Sequence, residues 1–237
     1  MRLEFQCWKC LEGTPGRRVT VPFNESASYS FTCAQGHVHH IVLAQMRFEV
    51  LAETAMQALV DGYYREAVAS FAAALERVCQ FYIEVVSDHN GVDRDTAERT
   101  WKAVANQSER QLGMFVGLYQ LENNCIPPLL AQKHIAFRNK VIHQGYLPTE
   151  EDAVGFAQAI VDLVQPLLNA MMPRYTKTIE TRCIEHLEKA AAGTKVGGTQ
   201  HRVFFDFVLK FDTEADDWDL PPANMHDELR FRRARAP

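Results

Sequence analysis

The sequence predicts a mainly α protein: an up-and-down helical bundle with a small β module at its N-terminus and a strand-containing extension at its C-terminus. Three observations carry this expectation. Apolar residues recur at intervals of three and four through most of 43–192. The first 42 residues are instead rich in turn formers and short alternating stretches. Period-two alternation returns only in Val203-Phe204-Phe205-Asp206-Phe207-Val208-Leu209-Lys210-Phe211. The expected divisions are therefore 1–42, 43–192 and 193–237.

The β module rests on Gly13, Pro15 and Gly16 followed by the alternating Val19-Thr20-Val21. From about residue 43, Phe48, Leu51, Ala55 and Leu59 mark a first helix, closed by Gly62. A second begins near Arg65. Val68, Phe71, Leu75, Val78, Tyr82 and Val85 form one stripe along it, and Asn90-Gly91 ends it. The short Gly62-Tyr63-Tyr64 connection makes these two helices antiparallel neighbours. Asp93 to Asn123 reads as one long helix or two shorter ones, broken between Ala105 and Ser108. Pro127-Pro128 is expected to open the next helix, which ends at Gln144-Gly145. Thr149 and Asp152 form a capping pair for a last strong helix, which Pro166 should kink and Pro173 end. A further amphipathic stretch covers Thr176 to Ala192.

Composition limits what such a chain does. With 47% hydrophobic and 23% charged among 237 residues, it is neither collagen-like, fully disordered nor a disulfide-dense miniprotein. No uninterrupted apolar run of about 18 residues predicts a membrane-spanning helix. Met1 to Gln6 reaches Cys7 without the apolar stretch of a secretory signal, so a cytoplasmic location and no membrane partner are expected. Lys and Arg number 25 against 30 Asp and Glu, a formal net charge of -5. Coating nucleic acid through bulk charge is thereby excluded, and any such role must come from a local site. Arg230-Phe231-Arg232-Arg233-Ala234-Arg235, preceded by Asp216-Asp217-Trp218-Asp219, reads as a solvated, partly disordered end.

Cysteine placement separates the module from the bundle. Cys79, Cys125 and Cys183 are scattered and look structural. Cys7, Cys10 and Cys33 crowd the first 33 residues. Cys7-Trp8-Lys9-Cys10 is one knuckle; Cys33-Ala34-Gln35-Gly36-His37 offers a thiolate and an imidazole four positions apart. Zinc takes four such ligands in a tetrahedron, and two tight turns presenting two each supply them. The arrangement resembles a zinc ribbon of Cys3His type. Cys7, Cys10, Cys33 and His37 are the candidate ligands, with His39 and His40 as alternatives for the fourth. Four protein ligands close the site, so the zinc is expected to be structural.

The segment Ala136-Phe137-Arg138-Asn139-Lys140-Val141-Ile142-His143 carries the candidate chemistry. Arg138 offers a fixed cationic fork for phosphate oxygens, and His143 can move a proton near neutral pH. Five positions place them about 140° apart on an ideal helix, so they converge only if His143 lies in a final, unwinding turn. Asn139 adds an amide that can hold a phosphate or orient the imidazole. Glu76 is the expected acidic partner of Arg138, and His134 a weaker candidate on the same side. An unremarkable alternative has Arg138 merely pairing across the bundle and His143 capping its helix.

Arg138-Asn139-x3-His143 resembles the Arg-x(4–6)-His motif of the HEPN superfamily, often written with a polar residue after the arginine. The resemblance extends over roughly 43–190, including Gly62-Tyr63-Tyr64-Arg65-Glu66-Ala67 and Gly145-Tyr146-Leu147-Pro148-Thr149. It implies an all-α bundle, a homodimer with facing motif helices, and a metal-independent endoribonuclease of a toxin, phage-defence or similar system. Arg138, Asn139 and His143 would then be catalytic, and RNA or a nucleotide the ligand. An antitoxin or other protein partner is a further expectation. A non-catalytic nucleotide-binding, RNA-binding or protein-interaction module of the same fold is the alternative.

Overall fold

A computed structural model of the chain describes residues 2–192, 197–199 and 223–234. The order is β1 (Arg2–Gln6), β2 (Arg18–Pro22), β3 (Ser28–Thr32), β4 (Val38–Leu43), α1 (Arg47–Val60), α2 (Tyr64–His89), α3 (Arg94–Val104), α4 (Ser108–Asn123), α5 (Gln132–His143), α6 (Glu150–Ala191), β5 (Gly197–Thr199) and α7 (Met225–Arg233). The protein is mainly α with a small N-terminal β part.

Two antiparallel hairpins build that β part. β1 pairs with β2, setting Leu3 opposite Val21 and Phe5 opposite Val19. β3 pairs with β4, setting Phe31 opposite His39. Alternation sends Leu3, Phe5, Tyr29, Phe31, Ile41 and Leu43 inward to a small core, where Val50 of α1 joins them. β4 is separated from α1 only by Ala44, Gln45 and Met46. The Glu49 carboxylate, fully buried, accepts the Met46 backbone N–H at 2.6 Å and fixes that entry.

The main core lies between α1, α2 and α6. Phe71, Val78, Tyr82 and Val85 of α2 meet Ala157, Ile160, Val161, Val164 and Leu168 of α6. α4 and α5 pack on the flank of α2. Large side chains of this kind each stabilise a fold by ~1.5–3 kcal/mol, so the stripe predicted for α2 holds the bundle together. α6 contains an apolar window of mean hydropathy 1.3, long enough by composition to span a membrane, but 56% of that window is buried inside the bundle.

Several expectations are corrected. α5 starts at Gln132, not at the prolines, with Ala131 at its N-cap (φ -61°, ψ 146°). Residues preceding proline avoid helical dihedrals, and 124–131 instead runs without regular structure, putting Leu130 against the bundle and the exposed Leu129 at the edge of a cavity. α6 passes through Pro166 and Pro173; its one non-helical residue is Tyr175 (φ -122°, ψ 19°). Buried Leu163, Val164, Leu167 and Leu168 on both sides of Pro166 outweigh the lost hydrogen bond, ~3 kcal/mol. At the bend, the Tyr175 hydroxyl donates to Glu122 at 2.9 Å, and Arg174 donates to the Glu122 carbonyl at 2.9 Å. The stretch Thr176 to Ala192 is therefore the second arm of α6.

The basic end is likewise no solvated tail over its described part. Asn224 caps α7, Met225 and Leu229 are buried, and the helix docks on α1 and α6. Arg232 meets the buried Glu53 at 2.6 Å, and Arg233 meets Glu150 at 2.7 Å. A strand from the extension does join the N-terminal sheet, as β5 parallel to β4 with Ile41 opposite Gly197. The alternating segment 203–211 lies outside the described residues. Cys79 and Cys183 are buried, and burial pushes both thiols up to about 12; Cys125 is exposed and supports no core.

Candidate metal centre and the arginine–histidine helix

β1 delivers Cys7 to the first knuckle, where its N–H donates to the Arg17 carbonyl at 2.8 Å. The second knuckle is the β3–β4 turn. There Cys33 N–H donates to the His37 carbonyl at 3.1 Å, Gly36 N–H donates to the Cys33 carbonyl at 2.9 Å, and Gly36 adopts φ 79°. The two knuckles are tied by Ala34 N–H donating to the Gly16 carbonyl at 3.2 Å. This contact needs glycine: a Cβ on Gly16, itself at φ 69°, would lie 2.2 Å from the Ala34 Cβ.

These turns gather Cys7, Cys10, Cys33 and His37, whose donor atoms all lie within 4.8 Å of one another. His37 Nδ1 is 3.5 Å from Cys7 Sγ, 3.4 Å from Cys10 Sγ and 3.6 Å from Cys33 Sγ, and the Cys10 and Cys33 sulfurs are 3.8 Å apart. A tetrahedron with metal–sulfur bonds of about 2.3 Å and a metal–nitrogen bond of about 2.05 Å has sulfur–sulfur edges near 3.8 Å and sulfur–nitrogen edges near 3.6 Å. The observed edges match these values, and the four groups together could hold a metal ion. Burial, then contacts with the Cys7 and Cys33 thiols, pushes the Cys10 thiol up to about 11. Burial also opposes ionisation of Cys33, but the backbone N–H groups of His37 and Gln35 outweigh it and bring that thiol down to about 6.

The alternatives for the fourth ligand separate cleanly. His40 is exposed and its Nδ1 lies 2.7 Å from Ser30 Oγ. His39 is 1% exposed, with Nε2 3.0 Å from Cys7 Sγ, which is shorter than a tetrahedral edge. It touches the cluster from outside. Burial, then Lys9, His37 and His40, holds its pKa below the usual histidine value. The spacing of Cys and His residues offers His39 only as an alternative ligand and does not reveal its enclosed place beside Cys7.

In the bundle, Arg138 is half-buried. Its guanidinium donates to Glu76 at 3.2 Å and to the Asn139 side-chain oxygen at 3.1 Å, so the expected Glu76 partner is in place. Arg138, Asn139 and Glu76 line a cavity of about 400 Å³, whose remaining wall is largely apolar and includes Leu75, Leu112, Phe115 and Phe156. His143 does not line it. It lies exposed in the last turn of α5, with no hydrogen bond or ion pair among the described residues. Within one chain the arginine and histidine therefore do not meet, because α5 stays helical through His143 and keeps them about 140° apart. Asn139 lies between them around the helix. It is bonded to Arg138 and stands four positions, about 40°, from His143, close enough for neighbouring side chains. His134 sets its ring edge-on to Phe156 at 6.4 Å and does not line the cavity. Lys133 and Lys140, which the motif does not include, are exposed on the His143 side of α5.

No family model matches the chain, and no curated protein or solved structure matches it significantly.

Proposed function

We propose that the bundle is a HEPN-type endoribonuclease that cleaves RNA without a catalytic metal, working as a cytoplasmic homodimer in a toxin or defence role. The observation that supports this best is the Arg138–Asn139 pair on the cavity rim, with exposed His143 one helical turn beyond Asn139. In the proposed reaction the ribose 2′-hydroxyl loses its proton to a neutral His143 and its oxygen attacks the adjacent phosphorus. The P–O5′ bond breaks, leaving a 2′,3′-cyclic phosphate on one fragment. The leaving 5′-oxygen takes a proton from the partner subunit's His143. Arg138 stabilises the charge on the pentacovalent phosphate, and Asn139 positions it. DNA lacks the nucleophile and resists cleavage.

The N-terminal module is proposed to be a zinc ribbon in which Cys7, Cys10, Cys33 and His37 hold structural zinc. Closing all four positions leaves the metal no open site for substrate, so it supplies folding free energy to a small core.

A second reading has its own support. Glu76 neutralises Arg138, and His143 lies outside the cavity that Arg138 lines. These features suit a module that grips a nucleotide or RNA without cutting it. Labelled RNA incubated with the purified chain, with and without chelator, separates the two. Chelator-resistant cleavage lost in both Arg138→Ala and His143→Ala supports the enzyme. Binding without cleavage supports the module, and cleavage that survives either substitution refutes the assigned site.

A further inference from the structure

Position 39 faces inward on β4, between outward-facing Val38 and His40, with Ile41 inward after it. Such a position ordinarily takes an apolar residue, because a buried polar group without a partner is costly. The His39 ring is fixed by its neighbours. Trp8 stands edge-on to it at 4.1 Å and 69°, and Phe31 stacks on it at 4.9 Å and 26°. Held this way, Nε2 lies 3.0 Å from the Cys7 sulfur, while Nδ1 is buried without a partner among the described residues.

We propose that His39 is a positioning residue of the metal centre, whose Nε2–H donates a hydrogen bond to the Cys7 thiolate and so strengthens metal retention and shields that sulfur from electrophiles. This rests on the reading that Cys7, Cys10, Cys33 and His37 hold zinc. Three thiolates and a neutral imidazole around a dication leave one net negative charge in a buried site. That charge needs donors, since hydrogen bonds to ionised acceptors are the strong ones. Cys33 takes its donors from the backbone N–H groups of Gln35 and His37. Cys7 is served by His39. Its sulfur can only accept, so the proton belongs on Nε2, and the atom left bare is the Nδ1 lone pair, which is tolerated better than an orphaned N–H. Outer partners of this kind tune metal affinity as well as orient ligands.

The test uses the full zinc-loaded chain as wild type, His39→Phe, His39→Gln and His40→Ala. Cobalt-substituted spectra are expected to show the same three-sulfur, one-nitrogen set in all four. In His39→Phe, which keeps the aromatic packing, zinc affinity by chelator competition should fall about 10–100-fold. Iodoacetamide should also alkylate Cys7 faster than in wild type. His39→Gln, with an amide donor, should recover part of both, and His40→Ala should match wild type. Ring nitrogen shifts in the zinc-loaded wild type should report the Nε2–H tautomer, a measurement that needs no variant to fold. An Nδ1–H tautomer, a ligand set that changes in His39→Phe, or affinity and alkylation indistinguishable from wild type would each overturn the assignment. Wild type that binds no zinc removes the metal reading itself, a different result from any of these.

Discussion

Replacing Arg138 with alanine should separate a structural from a functional role for its guanidinium. The ion pair with Glu76 spans 3.2 Å, but the two side chains are 26% and 34% exposed. Solvent screens a pair of that kind, and its removal costs ~0–1 kcal/mol. Truncation also opens no sealed void, because Arg138 already borders the cavity. The urea midpoint should therefore move little. If the same guanidinium stabilises charge developing on a phosphate, its loss slows cleavage by ~10²–10³, about 2.7–4 kcal/mol in the barrier. The catalytic effect should exceed the stability effect by about 1.7–4 kcal/mol on those figures. Urea unfolding followed by circular dichroism gives the first quantity; initial rates on labelled RNA give the second. Arg138→Lys, which keeps the charge and loses the planar fork, should fall between wild type and alanine in rate. A variant that loses several kcal/mol of stability while cleaving at the wild-type rate would refute the reasoning and reduce Arg138 to a bundle brace.

Gly16→Ala should part the two knuckles, since its Cβ would meet that of Ala34 at 2.2 Å; zinc content after dialysis should fall, and retention equal to wild type would exclude the close approach. Arg232→Ala removes the cationic partner of the buried Glu53 carboxylate, 4% exposed in its side chain, and should cost ~3–5 kcal/mol in urea unfolding; a loss below ~1 kcal/mol would show that Gln57, which also donates to this carboxylate at 3.3 Å, and its other neighbours hold the charge. Arg233, then Tyr64, holds the Glu150 carboxyl below the ordinary glutamate range. Its contribution is therefore present above the unfolded-state pKa and lost as pH falls through the lower folded value. Carbon-detected titration of Glu150 should show the depression in wild type and its relaxation toward the ordinary value in Arg233→Ala; an unchanged titration would break that link.

The parts of this fold legible in the sequence are those with local causes. Cys7 to Cys10 and Cys33 to His37 are turns whose ligand spacing is fixed within a few residues, so the cluster could be read before it was seen. The stripe from Val68 to Val85 likewise follows from the helical repeat alone. The failures have distant causes. Nothing near Arg232 and Arg233 announces Glu53 and Glu150, the partners that dock α7. The weight of buried residues around Pro166 is set by helices far away in sequence, and it overrides the local cost of proline. Spacing makes His37 the first choice over His39 and His40, but does not place the other two. β4 alternation sends His40 out and His39 in, while the turn before the strand delivers His37 to the sulfurs. The angle between Arg138 and His143 was legible, but the unwinding that would have closed it does not occur.

The net charge of -5 also leaves room for a nucleic-acid ligand when its distribution is considered. α5 contains Lys133, Arg138 and Lys140 and no acidic residue, and it packs chiefly against α2. The acidic residues all lie elsewhere in the chain, some of them paired with arginines, as Glu185 is with Arg94 and Glu84 with Arg182. A local cationic face on an acidic protein admits a polyanion only where that face is presented, since the rest of the surface repels it. Raising salt should therefore weaken RNA binding with a shallow slope, set by the few cations on α5 rather than by the whole surface. If Lys133→Glu and Lys140→Glu leave both the affinity and that slope unchanged, RNA does not approach along α5, and the ribonuclease proposal loses its route to His143.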